Sequence, residues 1–202
     1  LMLYNPDEMA FYYFSGLSRW YLKDDKKALD ALQRGTRAVT AKSNPETVGV
    51  IYSILGEIYH NMGKKTQSFA AYDSCLQWKP DDVVTLNNYA YYLSEEGTNL
   101  QKAEEMSAKA VKVEPKNATY LDTYAWILYK QKRFAEAKIY IDMALKFTAD
   151  STNDTTLREH AGDIYVGLKD YARAVEFYKQ ALQQGGDIKM LTKKINLYRR
   201  RK

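Results

Sequence analysis

The sequence has one cysteine, four prolines and two histidines among its 202 residues. A single thiol excludes an intramolecular disulfide framework and any zinc site built from several thiolates of this chain. Two histidines leave little for metal chemistry. No apolar run approaches the ~20 residues that cross a bilayer as a helix. No segment alternates between apolar and polar residues over a strand's length. Against these shortages, 46% of the residues are hydrophobic. That share is ordinary for a chain that buries a core, and it excludes wholesale disorder. At ~100–200 residues per domain, the length suits one domain or one short array.

Charge is unevenly placed. The chain has 30 Lys and Arg against 25 Asp and Glu, a formal net charge of +5. Six of the bases (Lys193, Lys194, Arg199, Arg200, Arg201 and Lys202) crowd the last ten residues, where there is no acid. Without them the balance is −1, so the basic character belongs to the tail and argues against nucleic acid as a partner of the body. The chain opens on Leu1 without a charged segment, an apolar run and a small-residue cleavage site. This predicts a removed signal or a fragment of a longer protein.

Apolar residues recur at helical spacing nearly throughout. Turn residues at Asn44-Pro45, Gly63-Lys64, Lys79-Pro80-Asp81-Asp82, Gly97-Thr98-Asn99, Glu114-Pro115-Lys116-Asn117, Asp150 to Asp154 and Gly185-Gly186-Asp187 cut the chain into helix-sized pieces. About eleven helices in antiparallel pairs follow, with Asp81, Asp82 and Asn117 as first-turn or cap residues. The pieces repeat. After Gly56 come Tyr59, Ser68, Tyr72, Cys75 and Pro80, at offsets of three, twelve, sixteen, nineteen and twenty-four. The same beat gives Leu128, Ala137, Ile141, Ala144 and Ala149 from Ala125, and Tyr165, Ala174, Tyr178, Ala181 and Gly186 from Gly162. From Ala90 it gives Leu93 and, one residue late, Ala103, Ser107, Ala110 and Pro115; from Gly16 it gives Arg19, Ala28, Leu32 and Gly35. Small residues let two helices approach, large ones fill the gap to the next pair, and a lone pair cannot bury both faces, so neighbours stack.

This pattern resembles the tetratricopeptide repeat, a helix–turn–helix unit. The segment from Leu86 to Leu145 is especially similar to the C-terminal arrays of bacterial proteins of that kind. The resemblance implies an all-α right-handed superhelix of about five hairpins, with repeats near 9–48, 49–82, 83–117, 118–154 and 155–186 and a capping helix over 187–200. The first unit departs from it. Arg19 stands where an aromatic or aliphatic residue is usual, and the 40-residue gap from Gly16 to Gly56 predicts a long second helix or a looped connection. A 37-residue gap between Ala125 and Gly162 predicts a longer loop over Ala149 to Asp154. In the cap, Ile188, Leu191, Ile195 and Tyr198 share the inward stripe, and Lys193, Lys194, Arg199 and Arg200 the outer face.

Motifs that could carry chemistry have plainer readings. Glu57 and His60 form half of a di-iron signature, but the second half is missing and a surface pair suffices. Six residues separate Gly56 from Gly63 where a phosphate loop needs four. Cys75 sits at a small-residue packing position, where cysteine acts as a small hydrophobe. No catalytic constellation stands out, so the reading is not an enzyme and has no cofactor or metal. LYRRRK is read as a solvated terminus.

In the resembling family the first helix of each pair lines a concave groove that holds peptides. Carried over by position, the groove residues are Tyr13, Leu17 and Trp20; Ser53, Glu57 and His60; Asn87, Tyr91 and Ser94; Asp122, Trp126 and Tyr129; and Glu159, Asp163 and Val166. Aromatics are common interface anchors. The charges in this set are Glu57, Asp122, Glu159 and Asp163, without a lysine or arginine, so the family's clamp on a C-terminal carboxylate lacks its cations. Asn87 and Asn88 remain as amides for a partner's backbone. The expectation is a non-catalytic scaffold for a neutral or basic polypeptide with apolar anchors, in which alanine at Trp126 and Tyr91 weakens binding without unfolding. The alternative for those aromatics is that they fill the superhelix. Other readings are self-association through Tyr12, Tyr13, Phe14 and Trp20, or an RNA-binding repeat. The bacterial resemblance implies a longer parent protein of the cell envelope, exported or a lipoprotein, with the cytoplasm as the alternative.

Overall fold

The computed structural model describes residues 8–148 and 154–201. Among the described residues are eleven helices and no strand. Five hairpins are formed by α1 (Glu8–Tyr21) with α2 (Asp25–Arg37), α3 (Pro45–Asn61) with α4 (Lys65–Trp78), α5 (Val83–Glu96) with α6 (Leu100–Val113), α7 (Ala118–Lys130) with α8 (Phe134–Phe147), and α9 (Thr155–Gly167) with α10 (Tyr171–Gln183). A single helix, α11 (Ile188–Tyr198), follows. The helices gather into two compact units, Leu1–Thr85 and Leu86–Lys202, with the boundary inside α5.

The repeating small residues are where the helices of a hairpin meet. Ala28, Leu32, Ser68, Tyr72, Cys75, Ala103, Ser107, Ala110, Ala137, Ile141, Ala144, Ala174, Tyr178 and Ala181 all have 0% exposure. A Cβ added at Gly56 would lie 2.4 Å from the Tyr72 ring, and one at Gly162 would lie 2.3 Å from the Tyr178 ring. Glycine is therefore required opposite tyrosine; opposite Ile141, Ala125 is accommodated. The Ser68 hydroxyl donates to the Gly56 carbonyl oxygen at 2.8 Å, joining the two helices without adding bulk. At the offset of three, Tyr59, Leu93, Leu128 and Tyr165 are buried. Arg19, the departure in the first hairpin, is half-buried and its Nε donates to Ser15 Oγ at 3.3 Å.

Each hairpin turns in the same way. Seven residues after the small residue of the first helix the backbone enters the left-handed region: Lys23 at φ 60°, Gly63 at 71°, Gly97 at 66°, Lys132 at 63° and Lys169 at 64°. The amide of that residue and the next one donate back to the closing turn, as in Lys132 N–H to Tyr129 O and Arg133 N–H to Leu128 O. This pair of bonds satisfies carbonyls that a helix end leaves open. Three of the five positions are lysine rather than glycine, so composition alone does not reveal the turn.

The long first repeat is taken up by its connection. Helix α2 ends at Arg37, and α3 starts at Pro45, ahead of position 49, under an Asn44 cap whose Oδ1 accepts from Glu46 and Thr47. Asp82 and Asn117 cap α5 and α7 through the amides of Thr85 and of Thr119 and Tyr120. The longer loop expected over Ala149 to Asp154 lies outside the described residues except for Asp154, which caps α9 by accepting from Leu157 N–H at 2.9 Å.

The outer helix differs from its expected face pattern. Leu191 is buried and Ile195 and Tyr198 pack beside it, but Ile188 is 72% exposed. Lys194, expected outside, turns in and pairs with Asp163 at 2.7 Å. Ile188 occupies the first position of α11, before the helix has made a turn against α10. Lys194 lies between Leu191 and Tyr198 on the inward stripe, within reach of a carboxylate.

Candidate functional site

In the second unit the first helices α5, α7 and α9 bring aromatic and acidic side chains together. Trp126 stacks on Tyr129 with ring centroids 4.7 Å apart and on His160 at 3.9 Å, both at 14° between planes. Its indole N–H donates to Glu95 Oε1 at 2.7 Å. Lys130 Nζ lies 4.9 Å from the indole centroid and 3.2 Å from Glu95 Oε1. Only 8% of Trp126 is exposed, so it is enclosed by its neighbours. Alanine there removes buried packing as well as surface, contrary to the expectation that such a change leaves the fold alone. Tyr91 stays half-buried, with its ring 6.3 Å from that of His160. Burial, aided by Glu95 and Asp122, pushes its phenol up to about 12.

His160 is the residue that helical spacing did not reveal. Its Nδ1 lies 2.9 Å from Asp122 Oδ1 and 3.0 Å from Oδ2. Burial disfavours the charged imidazole, yet Asp122, with Asp163 and Glu95 further off, outweighs burial and raises the pKa above the ordinary histidine value. Burial also acts against the Glu95 carboxylate, but donation from Trp126 and Lys130 holds it below the usual range. Glu95 and Lys130 were legible in principle, since each follows a groove position by four residues and shares its face. His160 had no such signal.

At the next carboxylate pair, Asp163 accepts from the Tyr178 hydroxyl at 2.6 Å and from Lys194 at 2.7 and 2.8 Å. Glu159 is half-buried, and burial, with Asp163 adding to it, raises its pKa despite the opposing charge of Lys194. Burial and Asp163 likewise raise the Tyr129 phenol. Two cations join the assembled surface from outside the predicted set: Lys130, one turn on from Trp126, and Lys194 from α11. Asn87 is 4% exposed; its Nδ2 donates to Asn88 Oδ1 at 3.3 Å, and its own Oδ1 is buried without a hydrogen-bond donor. Ser94 turns back onto the Tyr91 carbonyl at 2.7 Å, and Val166 packs against the core near Tyr165.

The first unit holds the other predicted positions. Tyr13, Leu17 and Trp20 are partly buried against its core. Ser53 Oγ accepts from Thr85 Oγ1 at 2.8 Å, and Glu57 Oε2 accepts from the Tyr72 hydroxyl at 3.2 Å. His60 is half-buried on the last turn of α3. Among the described residues no three His, Cys, Asp or Glu side chains gather as metal ligands. Cys75, buried beside Thr85, has its thiol pushed up by desolvation to about 11, a packing residue rather than a nucleophile.

Known proteins share this architecture. The family model described as tetratricopeptide repeat matches residues 50–82 and 157–184. A TPR repeat-containing protein of Pseudomonas aeruginosa is 29% identical over 123 residues, 60% of this chain and 20% of that relative's length. The match thus spans about a fifth of the relative. MamA from Desulfovibrio magneticus RS-1 superposes with a TM-score of 0.70 at 15% identity, covering 88% of this chain and 95% of that one. Pseudomonas aeruginosa PilF gives 0.68 at 16% identity, covering 95% and 88%. A chain of the APC/C hetero-tetramer Cut9–Hcn1 gives 0.76 at 14% identity, covering 96% of this chain and 37% of that one. At these identities the likeness is one of fold. The two matches to the tetratricopeptide model, joined to the repeat spacing and the hairpin packing, support the reading of the chain as a tetratricopeptide repeat protein.

Proposed function

We propose that the chain is a non-catalytic scaffold that seats an extended partner polypeptide across the first helices α5, α7 and α9. The observation that carries this reading is the convergence of Tyr91, Trp126 and Tyr129 with Glu95, Asp122, Glu159 and Asp163 on one face. Tyr91 and Tyr129, half-buried rather than enclosed, are the anchors; Trp126 forms their floor. A partner segment that is neutral or basic suits this face, because an arriving cation offsets the burial of Glu159. Binding comes from these few anchors rather than from total area.

The test is an array of extended peptides in acidic, neutral and lysine- or arginine-bearing versions, titrated against the chain and against Tyr91→Ala and Glu159→Gln. Tyr91→Ala weakens the captured segment by about 1–2 kcal/mol, and Glu159→Gln removes the preference for basic versions. Helicity stays unchanged. Captured segments that are indifferent to both changes, or that favour acidic versions, refute the reading.

A second reading has an observation of its own. On α1, Phe11, Phe14 and Tyr21 are 48%, 65% and 69% exposed, and Leu22, just past its end, is 79% exposed. Phe11, Phe14 and Leu22 line a shallow recess of about 690 Å³. Tyr12, Tyr13 and Trp20, expected on this surface, are half-buried instead. Outward apolar area of this kind marks an association surface, and self-association is the form it takes here. Sedimentation showing a monomer at every concentration excludes it.

A further inference from the structure

The outward face of α11 is not built as a purely polar cap. Its inward stripe is Leu191, Lys194, Ile195 and Tyr198. On the opposite side Lys189 and Lys193 are exposed and lie about 40° apart at 3.6 residues per turn, and Arg200, also exposed, follows just past the helix end. Arg199 adds to them at the C-terminal end. Lys194 is the one base of α11 paired with a carboxylate among the described residues. No acid follows Asp187 in the helix. Beside this basic strip, on one flank of the helix, Met190 and Leu197 are 39% and 50% exposed. Solubility alone calls for the bases and not for two large apolar side chains next to them.

A helix with bases on its polar side and apolar residues on one flank suits a lipid–water boundary: the bases reach anionic headgroups and the apolar groups enter the layer beneath. We propose that the outer face of α11 docks onto an anionic lipid surface, with Lys189, Lys193 and Arg200 on the headgroup phosphates and Met190 and Leu197 in the headgroup layer. Charge complementarity is local to this face: without Lys189, Lys193, Arg199 and Arg200 the formal charge falls from +5 to +1. Nucleic acid fits less well. Tyr198, the aromatic residue of α11, points inward with its ring stacked 5.7 Å from Tyr171, which leaves the outer face without a ring for base stacking.

The test is co-sedimentation of the whole chain with phosphatidylcholine vesicles, alone or with about a third phosphatidylglycerol. Binding is expected to the anionic vesicles only, and is lost at about 0.5 M salt. Each base near such a surface contributes roughly fivefold, so Lys189→Glu/Lys193→Glu/Arg200→Glu lowers partitioning about a hundredfold or more. Met190→Ser/Leu197→Ser lowers it about tenfold and leaves the salt dependence in place. Asn196→Lys, on the same exposed face, raises it about fivefold, which decides the matter should the triple variant lose helicity. Equal sedimentation with neutral vesicles, no sedimentation with anionic ones, or no response to Asn196→Lys overturns the proposal. So does a single-stranded oligonucleotide bound at least as tightly, which assigns the face to nucleic acid.

Discussion

Replacing Gly162 by alanine tests the packing rule on which the fold rests. On an open helix the change stabilises by about 1 kcal/mol, because alanine is the better helix former. Here the new methyl would sit 2.3, 2.5 and 2.9 Å from three atoms of the Tyr178 ring. That ring has no exposure, and its hydroxyl is held by Asp163 at 2.6 Å, so it has little freedom to withdraw. Overpacking of this kind costs about 1–3 kcal/mol. With the gain of about 1 kcal/mol in helix propensity set against it, Gly162→Ala destabilises by up to about 2 kcal/mol, a fall in Tm of up to roughly 8 °C. The partner change Tyr178→Ile copies the Ala125–Ile141 pair of the preceding hairpin. Alone it opens a cavity and removes a hydrogen bond to Asp163. Combined with Gly162→Ala, it gives the methyl room, and the double variant is more stable than the sum of the two losses by about 1 kcal/mol. Thermal and denaturant unfolding of the four proteins in the cycle measure this. A higher Tm for Gly162→Ala, or a coupling energy of zero, refutes the reasoning.

Other expectations follow from the turns, the buried histidine and the thiol. Lys132 adopts φ 63° in the α7–α8 turn, so Lys132→Gly relieves left-handed strain and raises stability by about 0.5–1 kcal/mol in denaturant titration; a loss of stability contradicts the turn assignment. His160 has its pKa raised in the folded state, so its contribution is fully present below the unfolded value of about 6.5 and is lost as pH climbs through the folded value. The denaturation midpoint of the wild type therefore falls over that interval, and His160→Gln removes the slope; an unchanged slope shows that another group is responsible. Cys75, titrating at about 11 in its buried site, reacts with a thiol reagent near pH 8 only through opening, so its labelling rate tracks unfolding as denaturant is added; rapid labelling of the native chain disproves its burial.

Much of the hairpin arrangement was legible because close helix packing leaves a residue-type record. A small residue opposite a large one, repeated at a fixed offset, is what two helices in close approach require, and the positions at offsets of twelve, sixteen and nineteen, one later in the α5–α6 hairpin, are buried. The hairpin turns at Gly63 and Gly97 were legible, but those at Lys23, Lys132 and Lys169 were not, because a lysine carries no compositional mark of positive φ. On α11, helical phase alone put Ile188 inside and Lys194 outside. The first-turn position of one and the reach of the other to Asp163 reversed both.

The candidate site was legible as a set of positions and not as a surface. Helical spacing placed Tyr91, Asp122, Trp126, Tyr129, Glu159 and Asp163 on first helices. Which of them stay open depends on partners far away in the chain: Glu95 for Trp126 across 31 residues, His160 for Asp122 across 38, and Lys194 for Asp163 across 31. From its own order of residues the protein determined stacked two-helix layers, since local periodicity specifies which stripes must be kept from water. Only the tertiary structure decided that Trp126 is enclosed and that Lys130 and Lys194 pair with Glu95 and Asp163. Stacking and ion pairing depend on distances between helices, and no repeat period encodes those.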